Sequence, residues 1–294
     1  SQATSSRQAA TSGREKARGQ ATSKGQRWSE SEPWAEAEWV SAPKARRKAA
    51  AAEEDDAWEA GVKYKEGSTT IKICMAGQSM DDALMEQWCA WFRGYVRWWF
   101  PKVKELVAQD VDFAWNSLTG AGVGSLLAVL SELGIEVHIL KLHHNKIDDI
   151  DALTGLIQEG YIRELHLSHN RLDTNQAARL VLEVAAAKDR NGWYLYPRSE
   201  DGSDREAPLW LRMEQNDLDQ KTFEQKIHKG MRRLGRPRRL LCHVDGTNGC
   251  TPRTCLVFAE APVAHVTYLT GPRNKQCTNT APTTGKSEPW QWQG

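Results

Sequence analysis

The stretch that decides the fold is "LHLSHNRLD", residues 165–173, in which three leucines alternate with polar residues around a single Asn170. An apolar residue at every second position is typical of a strand with one buried face. The frame L-x-L-x-x-N-x-L recurs along the chain. Its other copies are "VDFAWNSLT" (111–119), "LKLHHNKID" (140–148), "LRMEQNDLD" (211–219) and, with Gln78 in place of asparagine, "ICMAGQSMD" (73–81).

A helical pattern of apolar residues follows the central copies. These residues are Leu126, Leu127, Leu130 and Leu133, then Leu153, Leu156 and Ile157, then Leu180, Val181 and Val184. One strand and one helix cannot bury both of their apolar faces alone, so neighbouring units have to stack. The pattern therefore predicts parallel strands on one side of the molecule and helices on the other.

The asparagine of each frame is predicted to be structural. Its side chain carries both donors and acceptors, so it can satisfy backbone groups where the chain leaves the strand. We expect a ladder formed by Asn116, Asn145, Asn170 and Asn216.

The pattern resembles the leucine-rich repeat family in its longer, ribonuclease-inhibitor-like form. Spacings of 29 and 25 residues separate the frame asparagines at 116, 145 and 170, within the range of about 20–29 for such repeats. The resemblance implies an α/β solenoid with parallel strands on its concave face and helices on its convex face. The longer spacing of 46 between Asn170 and Asn216 predicts an exposed excursion beside the sheet.

Composition divides the chain into three parts. Residues 1–67 are rich in Ala, Ser, Arg and Glu and poor in aliphatic residues, which predicts a disordered low-complexity tail. Residues 68–230 hold the repeats, and residues 231–294 form a basic, Cys-containing C-terminal segment.

Outward strand residues are predicted to form columns, because adjacent strands lie about 4.8 Å apart. The columns combine Trp, Arg, His and acidic side chains, a composition typical of a protein-recognition surface. The predicted partner-binding residues are Trp115, Lys141, His143, His144, His166, His169, Arg212 and Glu214. Two alternatives for the histidines are a metal ion shared by His144 and His169 and a contact surface that titrates near neutral pH.

The aromatic run "LMEQWCAWFRGYVRWWF", residues 84–100, is predicted to place most of its rings in the core of a helix. Trp98 and Phe100 lie off that face and are candidates for partner contact. Cys74 and Cys89 occupy repeat positions and are predicted to be buried.

The basic run 229–239 supports an alternative function in nucleic-acid binding. Its "GRP", residues 235–237, resembles the core of the AT-hook, which binds the minor groove of DNA. The candidate residues are Arg232, Arg233, Arg236, Arg238 and Arg239. Four side chains that follow, Cys242, Cys250, Cys255 and His265, are candidates for a stabilising zinc ion, although their spacing matches no common zinc module.

No catalytic or cofactor-binding motif stands out in the sequence, and the net charge of +1 selects no anionic partner. No apolar run reaches the roughly 20 residues of a membrane span, and no secretory segment is recognisable. The sequence therefore predicts a non-enzymatic interaction module or scaffold subunit that needs no cofactor and binds a protein partner or a larger assembly. We expect it inside the cell, in the cytoplasm, with the nucleus and organelles as alternatives.

Overall fold

The structure, a computed structural model, is described here for residues 39–41, 52–65, 67–101, 105–199, 206–235 and 263–268. These residues form an α/β fold with a single open sheet of mostly parallel strands, flanked by helices. The strands are β1 (Trp39–Ser41), β2 (Val62–Lys65), β3 (Thr70–Cys74), β4 (Leu106–Asp112), β5 (Ile135–Val137), β6 (Ile139–Lys141), β7 (Glu164–His166), β8 (Arg198–Ser199), β9 (Glu206–Ala207), β10 (Leu209–Arg212) and β11 (Ala264–Thr267). The helices are α1 (Ala52–Gly61), α2 (Asp82–Trp99), α3 (Gly120–Glu132), α4 (Asp151–Glu159), α5 (Thr174–Ala186) and α6 (Gln220–Arg233).

The order of strands in the sheet is β1-β2-β3-β4-β6-β7-β10-β11, and β5 pairs with β4 beside β6. The pairs from β3 to β11 are parallel, whereas β1, β2 and β3 form an antiparallel edge. Strands β8 and β9 form a separate antiparallel pair. Parallel pairing of consecutive frame strands is the arrangement that the repeated pattern predicts.

The core lies between the sheet and the layer of helices. Leu140, Leu165 and Leu211 are fully buried on their strands, and they share one apolar cluster with helix residues such as Leu126 and Leu180. Helices α2 to α6 pack against one another in chain order. The opposite face of the sheet, which carries the side chains between the buried positions, is called the open face below.

The last residue of the frame starts the next helix in four of the five copies. Asp81, Thr119, Asp173 and Asp219 precede α2, α3, α5 and α6, and each side chain accepts a hydrogen bond from a backbone N–H of the first turn. Such caps satisfy N–H groups that have no partner within the helix. The exception is α4, which begins after Ile150 without a side-chain cap.

The asparagines form the predicted ladder. Asn170 Oδ1 accepts from Ile147 N at 3.0 Å, and its Nδ2 donates to Leu142 O in the preceding unit at 2.9 Å and to Leu167 O in its own unit at 3.1 Å. The same three kinds of bond are made by Asn116, Asn145 and Asn216. Gln78 is exposed. Its unit is preceded by the antiparallel β2, so no parallel unit lies on that side for it to bond.

The sheet extends beyond both predicted boundaries of the repeat region. Residues 52–65, assigned to the tail, form α1 and β2 and contribute Trp58 and Val62 to the core. At the other end α6 crosses position 230, and β11 from the C-terminal segment pairs in parallel with β10. Residues 1–38 and 42–51 of the predicted tail lie outside the described residues.

Two local expectations, for Phe100 and Cys74, need correction. Phe100 packs against Tyr64 with ring centroids 6.0 Å apart, whereas Trp98 is 71% exposed as predicted. Cys89 is buried, but Cys74 is exposed because it lies on the open face after the buried Ile73.

The long insertion before β10 is exposed only in part. Trp193 is 74% exposed, but Tyr196 is buried and donates from its hydroxyl to Ile157 O at 3.3 Å. The pairing of β10 with β7 shows that the insertion leaves the sheet continuous.

Replacement of Asn170 by leucine is expected to destabilise the fold. The change leaves the buried N–H of Ile147 without an acceptor, which costs about 1–3 kcal/mol. It also removes one of the two amide donors of the Leu142 and Leu167 carbonyls, which keep their bonds to Asn145 and Asn216. Gln78→Leu is the matched control, because it makes the same type of change at the same frame position on the surface. Urea unfolding should show a large decrease in the free energy of unfolding for Asn170→Leu and not for Gln78→Leu. Equal stabilities of the two variants would contradict the structural role of Asn170.

Candidate functional site

The strand register confirms the predicted columns on the open face. Asp112 pairs with Lys141, Lys141 with His166, and His166 with Arg212. The first column is extended at its ends by Cys74 beside Asp112 and by Thr267 beside Arg212. A second column contains Ala114, His143, Ser168 and Glu214, and a third contains Trp115, His144, His169 and Gln215, because their backbone bonds continue the same ladder.

The charged side chains of the first two columns are paired with one another. Lys141 Nζ lies 2.7 Å from Asp110 Oδ2 and 3.9 Å from Asp112 Oδ2. Burial lowers the pKa of Lys141, but its hydrogen bond to Asp110 and the nearby carboxylates outweigh burial and raise that pKa. Burial raises the pKa of Asp112. The ion pairs therefore hold these charged side chains in place on a partly buried surface.

A second charged group lies at the β10 end of the open face. Arg212 Nε is 3.2 Å from Glu214 Oε1, which also accepts from Thr267 Oγ1 at 2.9 Å. The Arg212 guanidinium lies 5.7 Å from the centre of the Trp210 ring. These contacts hold the guanidinium between a carboxylate and an indole.

Among the residues that the structure describes, four buried polar atoms of the open face have no hydrogen-bond partner. They are Asp110 Oδ1, His166 Nε2, Trp210 Nε1 and Glu214 Oε2. His166 Nε2 comes within 3.3 Å of Glu164 Oε2, but the geometry is not that of a hydrogen bond. Buried polar groups are nearly always satisfied in native proteins, so these enclosed atoms are exceptions.

The third column is a stack of aromatic rings. Trp115 and His144 lie with ring centroids 3.5 Å apart and planes 11° apart, and His144 and His169 follow at 3.9 Å and 12°. Trp115, His144 and His169 have positive φ angles of 59°, 56° and 55°. This left-handed conformation is uncommon outside glycine, although histidine adopts it more readily than most residues. One repeated backbone geometry therefore places successive rings face to face.

Burial depresses the basicity of the histidines on the open face. It lowers the pKa of His143 to about 3, helped by His166, His144, Arg212 and Lys141. Burial, with the neighbouring His169, lowers the pKa of His144 to about 4, and burial also lowers that of His169. The expectation of titration near neutral pH is therefore wrong for His143 and His144, and the lowered pKa of His169 leaves that ring mainly uncharged at pH 7.

All eight predicted partner-binding residues lie on the open face, but not all are exposed. Trp115 is 46% exposed, whereas His166 is only 8% exposed because the Trp210 ring packs 5.1 Å from it. The prediction missed Asp110, Glu164 and Trp210. These residues lie two positions before the predicted column, so extending the alternation by one further outward position would have found them.

The stacking of His144 and His169 does not fit a shared metal ion. Parallel rings direct their in-plane nitrogen lone pairs side by side and not toward one point. Among the residues that the structure describes, no group of three His, Cys, Asp or Glu side chains could hold a metal ion. His265 is fully buried in β11, where burial lowers its pKa to about 4. Cys242, Cys250 and Cys255 lie outside the described residues, so the zinc site stays a prediction.

The candidate nucleic-acid residues do not lie on the open face where the structure describes them. Arg232 and Arg233 are exposed in the last turn of α6, in the helical layer. Arg236, Arg238 and Arg239 lie outside the described residues.

The fold and the site together define an α/β protein with an aromatic and charged sheet face. No known protein family matches the chain, and no curated protein matches its sequence. Within the described part of the chain, no helix is both long enough and apolar enough to cross a membrane.

The buried histidines predict a loss of stability in acid. In the unfolded chain histidine binds a proton near pH 6.5, whereas His143 and His144 in the fold bind one only at about pH 3 to 4. Between these two pH values the unfolded state binds more protons than the folded state. The contribution of the two histidines to the free energy of unfolding is therefore complete above about pH 6.5 and is lost as the pH falls toward 4.

Urea unfolding at about pH 7 and about pH 4.5 measures this contribution. Between the two pH values, the free energy of unfolding should fall less in His143→Gln than in the unaltered chain. Gln215→Ala, which replaces a non-titrating neighbour, should keep the full loss. An unchanged difference in His143→Gln would contradict the assignment.

Proposed function

We propose that the chain is a leucine-rich repeat array and that its open face is the concave surface of a solenoid. Three features support this. Frame strands pair in parallel in one register, the frame asparagines bond each unit to the unit before it, and most frames end in a helix cap. The extra strand β11 adds a further parallel strand to the same array.

The proposed activity is non-enzymatic binding of a protein partner on the open face. The observation that carries the proposal is the stack of Trp115, His144 and His169, which presents a preformed aromatic ridge with Trp115 46% exposed. Trp and Arg are the residues that most often dominate the energy of protein interfaces. Arg212 lies on the same face beside Glu214 and adds a charged donor.

The charge balance favours a protein partner over nucleic acid on this face. The carboxylates of the open face include Asp110, Asp112, Glu164 and Glu214, and its cations include Lys63, Lys72, Lys141 and Arg212. The three histidines with lowered pKa values add no positive charge at pH 7. A face on which carboxylates lie beside the cations does not offer the uncompensated Lys and Arg charges on which binding of a phosphate backbone depends.

A quadruple alanine variant at Trp115, His144, His169 and Arg212 tests the proposal. Proteins captured by the immobilised full chain should be lost with this variant, because its ridge and its guanidinium are gone. Because His144, His169 and Arg212 are half-buried, circular dichroism at the assay temperature should show that the variant stays folded, so that a loss of capture reports on binding. The binding should then be reproduced with a purified captured protein.

Trp98→Ala is the matched control, because it removes an exposed tryptophan from α2 in the helical layer. Capture that survives in the quadruple variant and is lost in Trp98→Ala would move the interface to α2. Binding that weakens steeply with salt and needs nucleic acid would favour the alternative function of the basic run 229–239.

A further inference from the structure

The aromatic stack is closed by a ring on one side of Trp115 and open on the other. His144 covers one face of the indole at 3.5 Å, and His143 contacts it edge-on with centroids 6.5 Å apart. Among the described residues no ring covers the opposite face, which is directed toward the unit of β3. The exposure of Trp115, 46%, is consistent with an uncovered face.

Gly77 occupies the next position of the same column. Its N–H donates to Ala114 O at 2.9 Å, just as the N–H of Trp115 donates to His143 O and that of His144 donates to Ser168 O. Its φ of 69° is the left-handed geometry shared by the column. The backbone therefore repeats at this position, but the ring that the other units supply is replaced by a hydrogen atom.

The position of the missing ring is open on the Gly77 side. Apart from the chain neighbours Ala76 and Gln78, no atom of the described residues lies within 4 Å of the point where a Cβ of Gly77 would stand. The residues of the second column in these two units, Ala76 and Ala114, are also small. Trp115 thus forms one wall of a slot whose base is backbone and small side chains.

The electrostatic surroundings favour a cation in this slot. An indole face carries negative quadrupole potential and attracts cations within about 6 Å of the ring centre. On the strand that precedes Trp115, Asp110 lies beside Lys141 and, in register, Lys72, and Asp112 lies 3.9 Å from Lys141. The ring behind Trp115 is an uncharged imidazole at pH 7, because burial lowers the pKa of His144.

We propose that the face of Trp115 above Gly77 binds the planar guanidinium of an arginine on the partner. This inference rests on the proposed function and names the group that the open face recognises. A guanidinium is planar, so it continues the stack in the place of the missing ring, and its positive charge is attracted by the face of the indole. A lysine ammonium has the charge without the plane, and a nucleotide has the plane but carries phosphate.

Titration of the full chain with small compounds tests the slot without any protein partner. The probe is the indole N–H resonance of Trp115, identified by its loss in Trp115→Phe. N-acetyl-arginine amide should shift this resonance saturably at millimolar concentrations. N-acetyl-citrulline amide, which is planar but neutral, N-acetyl-lysine amide and adenosine monophosphate should each bind more weakly by about tenfold.

Gly77→His is the variant that should close the slot. His144 and His169 show that histidine is accommodated in this left-handed position of the column, so the new ring should stack on Trp115 and abolish the arginine shift. Gly192→His is the matched control, because Gly192 also has a positive φ, 83°, and open space around its Cβ position, but lies in the insertion before β10. The control should bind the arginine compound as the unaltered chain does.

Three results would overturn the inference: no shift with the arginine compound, an equal or larger shift with citrulline or adenosine monophosphate, or a shift that survives in Gly77→His. None of them bears on the capture of partners by the open face, which the quadruple variant tests separately. Conversely, the unaltered chain could bind the arginine compound while the quadruple variant still captures partners. That result would contradict the proposed function but would support the arginine-binding slot.

Discussion

The hydrogen bonds of the frame asparagines are the constraint on which the rest of the structure depends. Each amide satisfies a backbone N–H and a carbonyl of the preceding unit together with a carbonyl of its own unit. These backbone groups are buried, so a shift of one unit against the next would leave them without partners. The ladder therefore fixes the register, and the register aligns outward side chains into columns. The arrangement of the open face therefore depends on the asparagine ladder, although none of the side chains of that face belongs to the ladder.

The turn that contains each frame asparagine also explains the aromatic stack. The residue immediately before each asparagine has a positive φ, in Trp115, His144, His169 and Gln215 alike. Such a conformation costs about 1–3 kcal/mol in a residue other than glycine. Glycine would relieve this strain, as it does at the equivalent Gly77. The turn therefore sets one backbone geometry for Trp115, His144, His169 and Gln215, and the identity of the side chain decides whether a ring joins the stack.

The sequence predicted those parts of the fold that depend on a local repeat. The alternation of Leu165 and Leu167 around Asn170 was enough to predict the buried strand face, the ladder and the columns. Strand β11 was missed because "AHVTYLT" has no frame asparagine and follows a long basic segment. Helix α1 was assigned to the tail because its Ala- and Glu-rich composition shows no strong apolar face, and only the packing of Trp58 against Trp91 reveals its place in the core.

The site was predictable in its membership and not in its chemistry. The alternation of strand residues with a period of two places His143, His166 and Arg212 on one face. The pKa of His143, however, depends on burial by side chains from other units. The burial of His166 likewise depends on Trp210, which lies in another unit 44 positions later. Such contacts between units are set by packing across the sheet, which a pattern within one unit does not contain.

Preorganisation links the ladder to recognition. The backbone at Trp115 is held by its N–H bond to His143 O and by Asn116, whose side chain bonds to Met75 and Met80 of the preceding unit. The indole is held in turn by His144 at 3.5 Å. A ring that is already ordered loses little conformational entropy when a partner binds, so more of the contact energy remains as affinity. The open slot above Gly77 then presents a rigid wall, and specificity comes from the shape and charge of what fits beside it.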